Sequence, residues 1–512
     1  MTRQPYDVAI VGYGPIGGAE ALLLAEAGLR VLVLERDPEL YELPRAVVID
    51  GEAIRALQSI GRAEQVAAIL QPPRDPDRVC FTNSKHEPYF DFTLPPTGVN
   101  GWRDSNFFDQ PEFERLLRAM VEAHPRIDVR VGHEVVALDQ DSELVHLRAR
   151  RCVDGAEVEF AAAYTIGCDG ASSFVRRNLG IAWESLGYDQ DWLVVDIRMK
   201  PGAAFPQATM QVCDPARLAT YVCCKDPLRR FEFRLLPGER RDEMQRPERV
   251  AALIEPFGAP DTWELVRAVV YQFHAATAAR WMDGRIFLAG DAAHQTPPFL
   301  GQGLNAGFRD VVNLGWKLPL VLGGRASADL LDTYHAERDA HARDLVGWAV
   351  DIGRLMEALA AGEAGDDDGP SDEQQRSGYG QGRTVPPLRG GLLMEDQMRE
   401  AGPVGHLFAQ PQVACQRRGR VRLDELLGPG FAVVARDADS ARCTPPPQLD
   451  AAGLRIVTID ELDAVEGSFD SVFEHHPAAV VRPDRYIFGV ADQTHTVDDL
   501  LASLSIRLGA GS

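Results

Sequence analysis
The chain opens on Tyr6–Val11, a run that is apolar and β-branched apart from Asp7, the pattern of a strand buried on both faces. A glycine-rich turn follows over Gly12–Gly17, then an Ala/Leu stretch that predicts a helix to about Ala27. Gly28 stops that helix, and Arg30–Leu34 repeats the strand pattern, with Glu35 closing a β-α-β unit. Further on the pattern is more mixed. Pro111–Ala123 has helical spacing, and the alternation from Asp128 to Ile166 predicts several strands. Residues 190–235 alternate again, and a helix near Pro247–Phe257 interrupts them, which points to a second, antiparallel sheet. Arg285–Ala289 returns to the buried strand character, and helical stretches follow over roughly 302–321 and 327–360.

The composition then changes. Gly365-Asp366-Asp367-Asp368-Gly369-Pro370 and Ser377-Gly378-Tyr379-Gly380 mark residues 361–384 as a linker. Beyond it, Phe431–Ala435, Arg455–Thr458, Ala478–Arg482 and Tyr486–Val490 read as short strands and Val497–Leu508 as a helix. That is enough chain for a separate small α/β domain.

At 512 residues the chain exceeds what one core usually holds, and its 45% hydrophobic and 25% charged residues are ordinary for a globular protein. The formal net charge of -23 argues against nucleic acid and against anionic membrane surfaces as partners. Eight cysteines are scattered without a C-x-x-C pair or zinc-like spacing, so no metal site is expected, and free thiols suit a reducing cytoplasm. Met1–Asp7 has no basic region, and no signal peptide is expected.

Three motifs carry the chemistry. In the first, Gly12-x-Gly14-x-x-Gly17 joins strand to helix. Gly12 permits the tight turn, Gly14 the approach of a pyrophosphate and Gly17 close packing of helix on strand. Phosphates at that helix N-terminus gain about 0.3–1 kcal/mol from the dipole, and Glu35 is placed to accept from a ribose. The second is Gly167-Cys168-Asp169-Gly170-Ala171-Ser172-Ser173, and the third Gly290-Asp291-Ala292-Ala293-His294 running on to Gly301-Gln302-Gly303-Leu304-Asn305. Asp169 and Asp291, taken singly, could be turn or N-cap residues, and His294 reads first as a packed, hydrogen-bonded histidine.

Together these motifs resemble the single-component FAD-dependent aromatic hydroxylases of the para-hydroxybenzoate hydroxylase fold. The resemblance is closest to the 3-(3-hydroxyphenyl)propionate, phenol and polyketide hydroxylases. It rests also on Leu43-Pro44-Arg45-Ala46-Val47 and on Pro297-Pro298-Phe299-x-Gly301-Gln302-Gly303-Leu304-Asn305, followed by Trp316-Lys317-Leu318. It covers about residues 5–350 and departs at Tyr13, where Ala is usual, and at Gly18, where Leu is common.

The resemblance implies an α/β fold: a Rossmann-type FAD-binding domain (1–185 and 280–360) with an inserted antiparallel substrate sheet (186–279, with part of 73–108). A C-terminal domain (385–512), thioredoxin-like in some relatives but here without a C-x-x-C pair, completes it as an inert packing or dimer module. It implies FAD contacts from Gly12, Gly14, Pro15, Gly17, Glu35, Arg36, Arg45, Gln110, Asp169, Asp291, Pro298, Gly301, Gly303, Leu304 and Asn305. It also implies NAD(P)H as reductant, dioxygen as oxidant through a flavin C4a-hydroperoxide, and a small aromatic substrate. Baeyer–Villiger or epoxidising chemistry on a polyketide-like substrate is the alternative. Arg45 and Pro298 are expected at the reactive ring, and Tyr271 and His274, on a strand of the substrate sheet, are candidate bases. The expected assembly is a cytoplasmic monomer or homodimer.

Overall fold
The computed structural model describes residues 4–43, 45–74, 76–362, 385–398, 402–415 and 418–509. Pro44 and nearly all of the expected linker lie outside them. The first sheet assembles strands from distant parts of the chain. Ile286–Leu288, Glu157–Gly167, Tyr6–Val11, Val31–Glu35 and Ile127–Val131 lie side by side in that order, all parallel. Parallel strands need both faces covered. The helix Pro15–Glu26 does this on one side and is buried almost all round, from Gly17 to Ala25.

Tyr13 and Gly18, the two departures from the family pattern, lie close together in the structure. A Cβ at Gly18 would stand 2.8 Å from Leu117 Cδ2 and 3.7 Å from the Tyr13 ring. Tyr13 is 1% exposed and Arg118 stacks over its ring at 4.6 Å. Leu117 therefore leaves no room for a Cβ at position 18, and the Tyr13 ring lies beside it at ordinary contact distance.

The second sheet runs His294–Gln295, Trp263–Ala278, Trp183–Met199, Leu228–Arg234, Ala219–Val222, Thr209–Val212, Arg78–Thr82 and Pro88–Thr93. Every neighbouring pair is antiparallel except Thr209–Val212 with Arg78–Thr82. Residues from the 73–108 stretch thus form its far edge. Alternation divides its faces: Leu193, Val195, Ile197, Tyr221, Phe231 and Phe233 pack on Val250 and Ile254 of the helix Pro247–Ile254. Each fully buried aromatic here contributes about 1.5–3 kcal/mol.

In the C-terminal domain a four-stranded sheet has the order Arg455–Thr458, Ala432–Ala435, Ala478–Val481, Ile487–Val490. Its first pair is parallel and the others antiparallel. The helix Val497–Leu508, opened by a Thr496/Asp499 capping box, covers it through Leu500, Leu501 and Leu504. Buried charge ties this domain to the rest of the chain. Arg482 pairs with Glu337 at 2.7 Å, and Lys317 with the same carboxylate at 2.7 Å, all with side chains 0% exposed. Arg55 makes a two-pronged pair with Asp424 at 2.8 Å on each arm. Among the described residues, no helix is long and apolar enough to cross a membrane.

Candidate active site
The phosphate turn is built as its glycines require. Gly12 has φ of +104°, and a Cβ there would lie 2.4 Å from the Cys168 carbonyl oxygen. A Cβ at Gly17 would lie 2.1 Å from the Gly12 carbonyl oxygen, so neither position tolerates a side chain. At Gly14 the added atom would meet nothing within 4 Å. That glycine caps the helix without a side-chain bond, and Pro15 occupies its first turn. Glu35 accepts from the Tyr13 N–H at 2.7 Å and the Asp37 N–H at 2.8 Å, so its carboxylate pins the turn. Arg36 is exposed and pairs with Asp37 at 3.4 Å.

A cavity of about 470 Å³ opens between the two sheets, within the range of small-molecule sites. Gly14, Pro15, Gly170, Asp291, Pro298, Gly301, Gly303 and Leu304 form one wall, Arg45 and Gln110 another, and the second sheet the floor. Gly12, Gly17, Glu35, Arg36, Asp169 and Asn305 do not line it.

These six act from behind or outside. Asp169 accepts from the Val175 N–H at 3.0 Å at the start of the helix Phe174–Asn178, while its Oδ1 is buried with no hydrogen-bond partner among the described residues. Asn305 accepts from the Asp50 N–H at 2.9 Å and donates to the Gly301 carbonyl at 2.8 Å, which fixes the cavity-lining turn. Gln110 accepts from the Ala46 N–H at 2.6 Å and donates to Glu114 at 2.6 Å, so it holds the Arg45–Ala46 backbone. Arg45 itself stacks over Tyr41 at 4.5 Å.

Asp291 sits in the short turn Gly290–Ala292, opens into the cavity and makes no hydrogen bond among the described residues. Burial pushes its carboxyl up, and His294 and Arg45 pull it part of the way back. The turn is anchored from below: Asp310 accepts from the Gly290 N–H at 2.9 Å and is 2.8 Å from His294 Nε2, and Arg338 donates to it at 2.9 Å. Burial alone would raise the Asp310 carboxyl, but His294 and Arg338 hold it below its ordinary value. His294 is fully enclosed and stacks on Trp281, so its role is structural.

Tyr271 and His274 line the cavity mouth. The Tyr271 hydroxyl accepts from Arg267 at 3.3 Å, and His274 Nδ1 is bonded to Asp189. Sequence reasoning missed the charged floor. Glu232 and Arg230 project from Leu228–Arg234 into the cavity, beside Gln211, Thr220 and Arg267. Asp196 takes Arg230 at 2.8 Å and Arg267 at 2.6 Å. The alternation Arg230-Phe231-Glu232-Phe233 was available as a signal, but such alternation ordinarily marks a solvent face.

The arrangement fits a flavin dinucleotide: an open glycine where phosphate approaches, an unpartnered acid facing the cavity, and a glycine-capped helix beyond. Residues 5–349 match the family described as FAD binding domain, and residues 405–506 the HcaD C-terminal domain. A 3-(3-hydroxy-phenyl)propionate/3-hydroxycinnamic acid hydroxylase of Burkholderia cenocepacia is 34% identical, over 96% of this chain and 94% of the relative. A probable NADH-specific resorcinol 4-hydroxylase of Rhodococcus jostii is also 34% identical, over 96% of this chain and 92% of the relative. Aklavinone-11 hydroxylase, solved with FAD and aklavinone, superposes with a TM-score of 0.79 over 100% of this chain and 99% of its own, at 24% identity, which shows a shared fold. By the length of these matches, the chain belongs to the FAD-binding aromatic hydroxylase family.

Proposed function
We propose that this FAD-dependent monooxygenase hydroxylates the ring of a small phenol, with NADH or NADPH as reductant and dioxygen as oxidant. The observation that carries the reading is the shared cavity, in which the flavin-type wall of Gly14, Asp291 and Gly301 faces the polar floor of the second sheet. When bound, FAD supplies two-electron reduction by the nicotinamide and activation of oxygen. Gly12, Gly14 and Gly17 shape the phosphate turn, and Asp291 would accept from the ribityl hydroxyls of a bound FAD. The backbone N–H groups after Gly301, at the start of the helix Gln302–Leu322, would favour negative charge on the ring of a bound flavin. Pro298 and Phe299 line the cavity and would help keep water from a bound ring. Glu35, Gln110 and Asn305 act at one remove by fixing the loops. The domain division read from the sequence, the thioredoxin-like character of the tail and a cytoplasmic monomer or homodimer remain part of this proposal. The net charge of -23 supports the exclusion of nucleic acid.

The test is isotopic. Turnover of resorcinol under labelled dioxygen, with NADH or NADPH, is expected to place one labelled oxygen in the product. Unlabelled product would overturn the monooxygenase reading, and a purified protein that retains no FAD after reconstitution would overturn the cofactor assignment. A lactone or epoxide in place of a ring hydroxyl would move the reading to the sister chemistry.

A further inference from the structure
The floor of the cavity carries a polar row across three strands, with Val194 of a fourth beside it. In register, Val194, Glu232, Thr220 and Gln211 stand side by side, with Asp196 and Arg230 paired two residues along. Adjacent positions on one face bring Cβ atoms to about 4.5–5.5 Å. The Thr220 hydroxyl donates to Gln211 Oε1 at 2.6 Å, and Gln211 Nε2 donates to the Phe299 carbonyl at 3.3 Å. The row therefore ends on the turn that carries Pro298.

Glu232 differs from the other acids around the cavity. It is 4% exposed and makes no hydrogen bond or ion pair among the described residues. Asp77 is bonded to Arg103, and Asp189 is bonded to His274. Asp196 is spent on two guanidiniums, Arg230 at 2.8 Å and Arg267 at 2.6 Å. Asp291 belongs to the flavin wall.

We infer that Glu232 is the proton acceptor for the ring hydroxyl of an uncharged phenol, and hence a catalytic residue of the reaction proposed above, on which this inference rests. In the step, the phenol O–H bond breaks and a carboxyl O–H bond forms on Glu232. The electron pair stays on the phenolate oxygen and enriches the ring carbons that oxygen attacks. No further reactant enters this step, and the oxidant for the next one is the dioxygen of the proposed activity. The surrounding charge suits the exchange. Arg230 and Arg267 are balanced by Asp196 and Glu232, so when the carboxylate takes the proton the negative charge passes to the phenolate beside the same two guanidiniums. Burial raises the Glu232 carboxyl to about 7, with Arg230 and Arg267 lowering and Asp196 raising it, which suits a base at neutral pH. Arg45, Asp77, Tyr271, His274 and Asp291 are the other titratable or charged groups on the cavity wall, along with Cys168.

The same balance selects the substrate class. A substrate carboxylate on this floor would face Glu232 and find both guanidiniums already paired, whereas a neutral resorcinol offers only a hydroxyl donor.

The test uses FAD-loaded holoenzyme and a series of resorcinols of increasing acidity, from the parent to fluorinated forms already ionised at the assay pH. Glu232→Gln is expected to keep its FAD and lose about 10²–10⁴-fold in kcat on resorcinol. The defect should shrink steadily as the substrate becomes more acidic, because an ionised phenol needs no base. The rise of kcat/KM through neutral pH should vanish, and Glu232→Asp should restore part of both. 3-(3-Hydroxyphenyl)propionate should show a KM at least about tenfold above that of resorcinol. A uniform defect across the acidity series, or an unaltered pH profile, would assign Glu232 to structure and overturn the inference. Equal or better kcat/KM for the propionate would overturn the uncharged class. A wild-type holoenzyme that turned over no phenol would instead bring down the hydroxylase reading, and this inference with it.

Discussion
Glu337→Gln is the sharpest probe of how the C-terminal domain is held. The Glu337 carboxylate accepts from Asn313 Nδ2 at 2.6 Å, Lys317 Nζ at 2.7 Å, both Arg482 Nη atoms at 2.9 and 2.7 Å, and the Leu392 N–H at 2.9 Å. With Asp484 paired to Arg482 at 2.6 Å, two cations and two anions are balanced and sealed from water. The amide keeps the volume but leaves one buried positive charge uncompensated and turns a donor toward cations. Breaking such a pair costs about 3–5 kcal/mol, a third or more of a typical total stability. Urea unfolding followed by fluorescence suits the measurement, since Trp316 donates to Asp484 at 3.0 Å inside the cluster. Adding Lys317→Met should recover part of the loss, because Arg482 and Asp484 then balance alone, so the double variant should be less destabilised than the sum by about 1 kcal/mol or more. Burial raises the Glu337 carboxyl, but Arg482 and Lys317 outweigh it and hold the group well below its ordinary 4.5. Its contribution is therefore present above about pH 4.5 and lost as pH falls, and the variant should show a flatter acid limb. Lys317 runs the other way: burial lowers it from 10.5 to about 8, so the unfolded chain binds the extra proton between those values and stability rises with pH across that window. A Glu337→Gln variant within about 0.5 kcal/mol of wild type, or strictly additive singles, would refute this account of the interface.

Asp291→Ala should weaken FAD retention by about 1.5–3 kcal/mol, roughly 10–150-fold in Kd, read by flavin release on dilution, since it removes a charged acceptor. Gly17→Ala should yield protein with little or no bound flavin and a lowered Tm, because the new Cβ would have to sit 2.1 Å from the Gly12 carbonyl oxygen. Gln211→Leu should leave FAD content and unstimulated reduction unchanged while reducing, several-fold, the acceleration of flavin reduction by substrate in stopped-flow absorbance. Undiminished acceleration would show that the Gln211–Phe299 bond transmits nothing.

The parts legible in the sequence are those in which backbone geometry dictates the residue. Gly12 must adopt φ of +104° and Gly17 must admit the Gly12 carbonyl, so the phosphate turn is written in glycine whatever surrounds it. Tyr6–Val11 was equally readable, because a strand covered on both faces has no polar alternation. Glu232 was hidden for the opposite reason. Its alternation with Phe231 and Phe233 is that of a half-exposed strand, and only the fold reveals that the polar face looks into a cavity. Lys317 stood in a recognisable local motif and Arg482 at the end of an expected strand. Nothing local says that both reach Glu337, since that pairing depends on how the last domain docks.

The two sheets also meet in a way that neither alone explains. The long strand Trp263–Ala278 pairs with His294–Gln295, directly after the Gly290 turn, at Thr277↔His294 and Ala276↔Gln295. Arg230, on the cavity floor, donates to the Arg45 carbonyl, and Gln211 donates to that of Phe299. The Arg45 and Pro298–Leu300 stretches of the cavity wall are thus bonded to the second sheet. From Thr220, which stands beside Glu232 in register, two hydrogen bonds lead through Gln211 to the Phe299 carbonyl in the Pro298 turn. On the proposed reading, a ligand that engages Thr220 or Gln211 is coupled to the Pro298 turn only as far as it binds two arrangements of that turn with different affinity, which the Gln211→Leu variant measures.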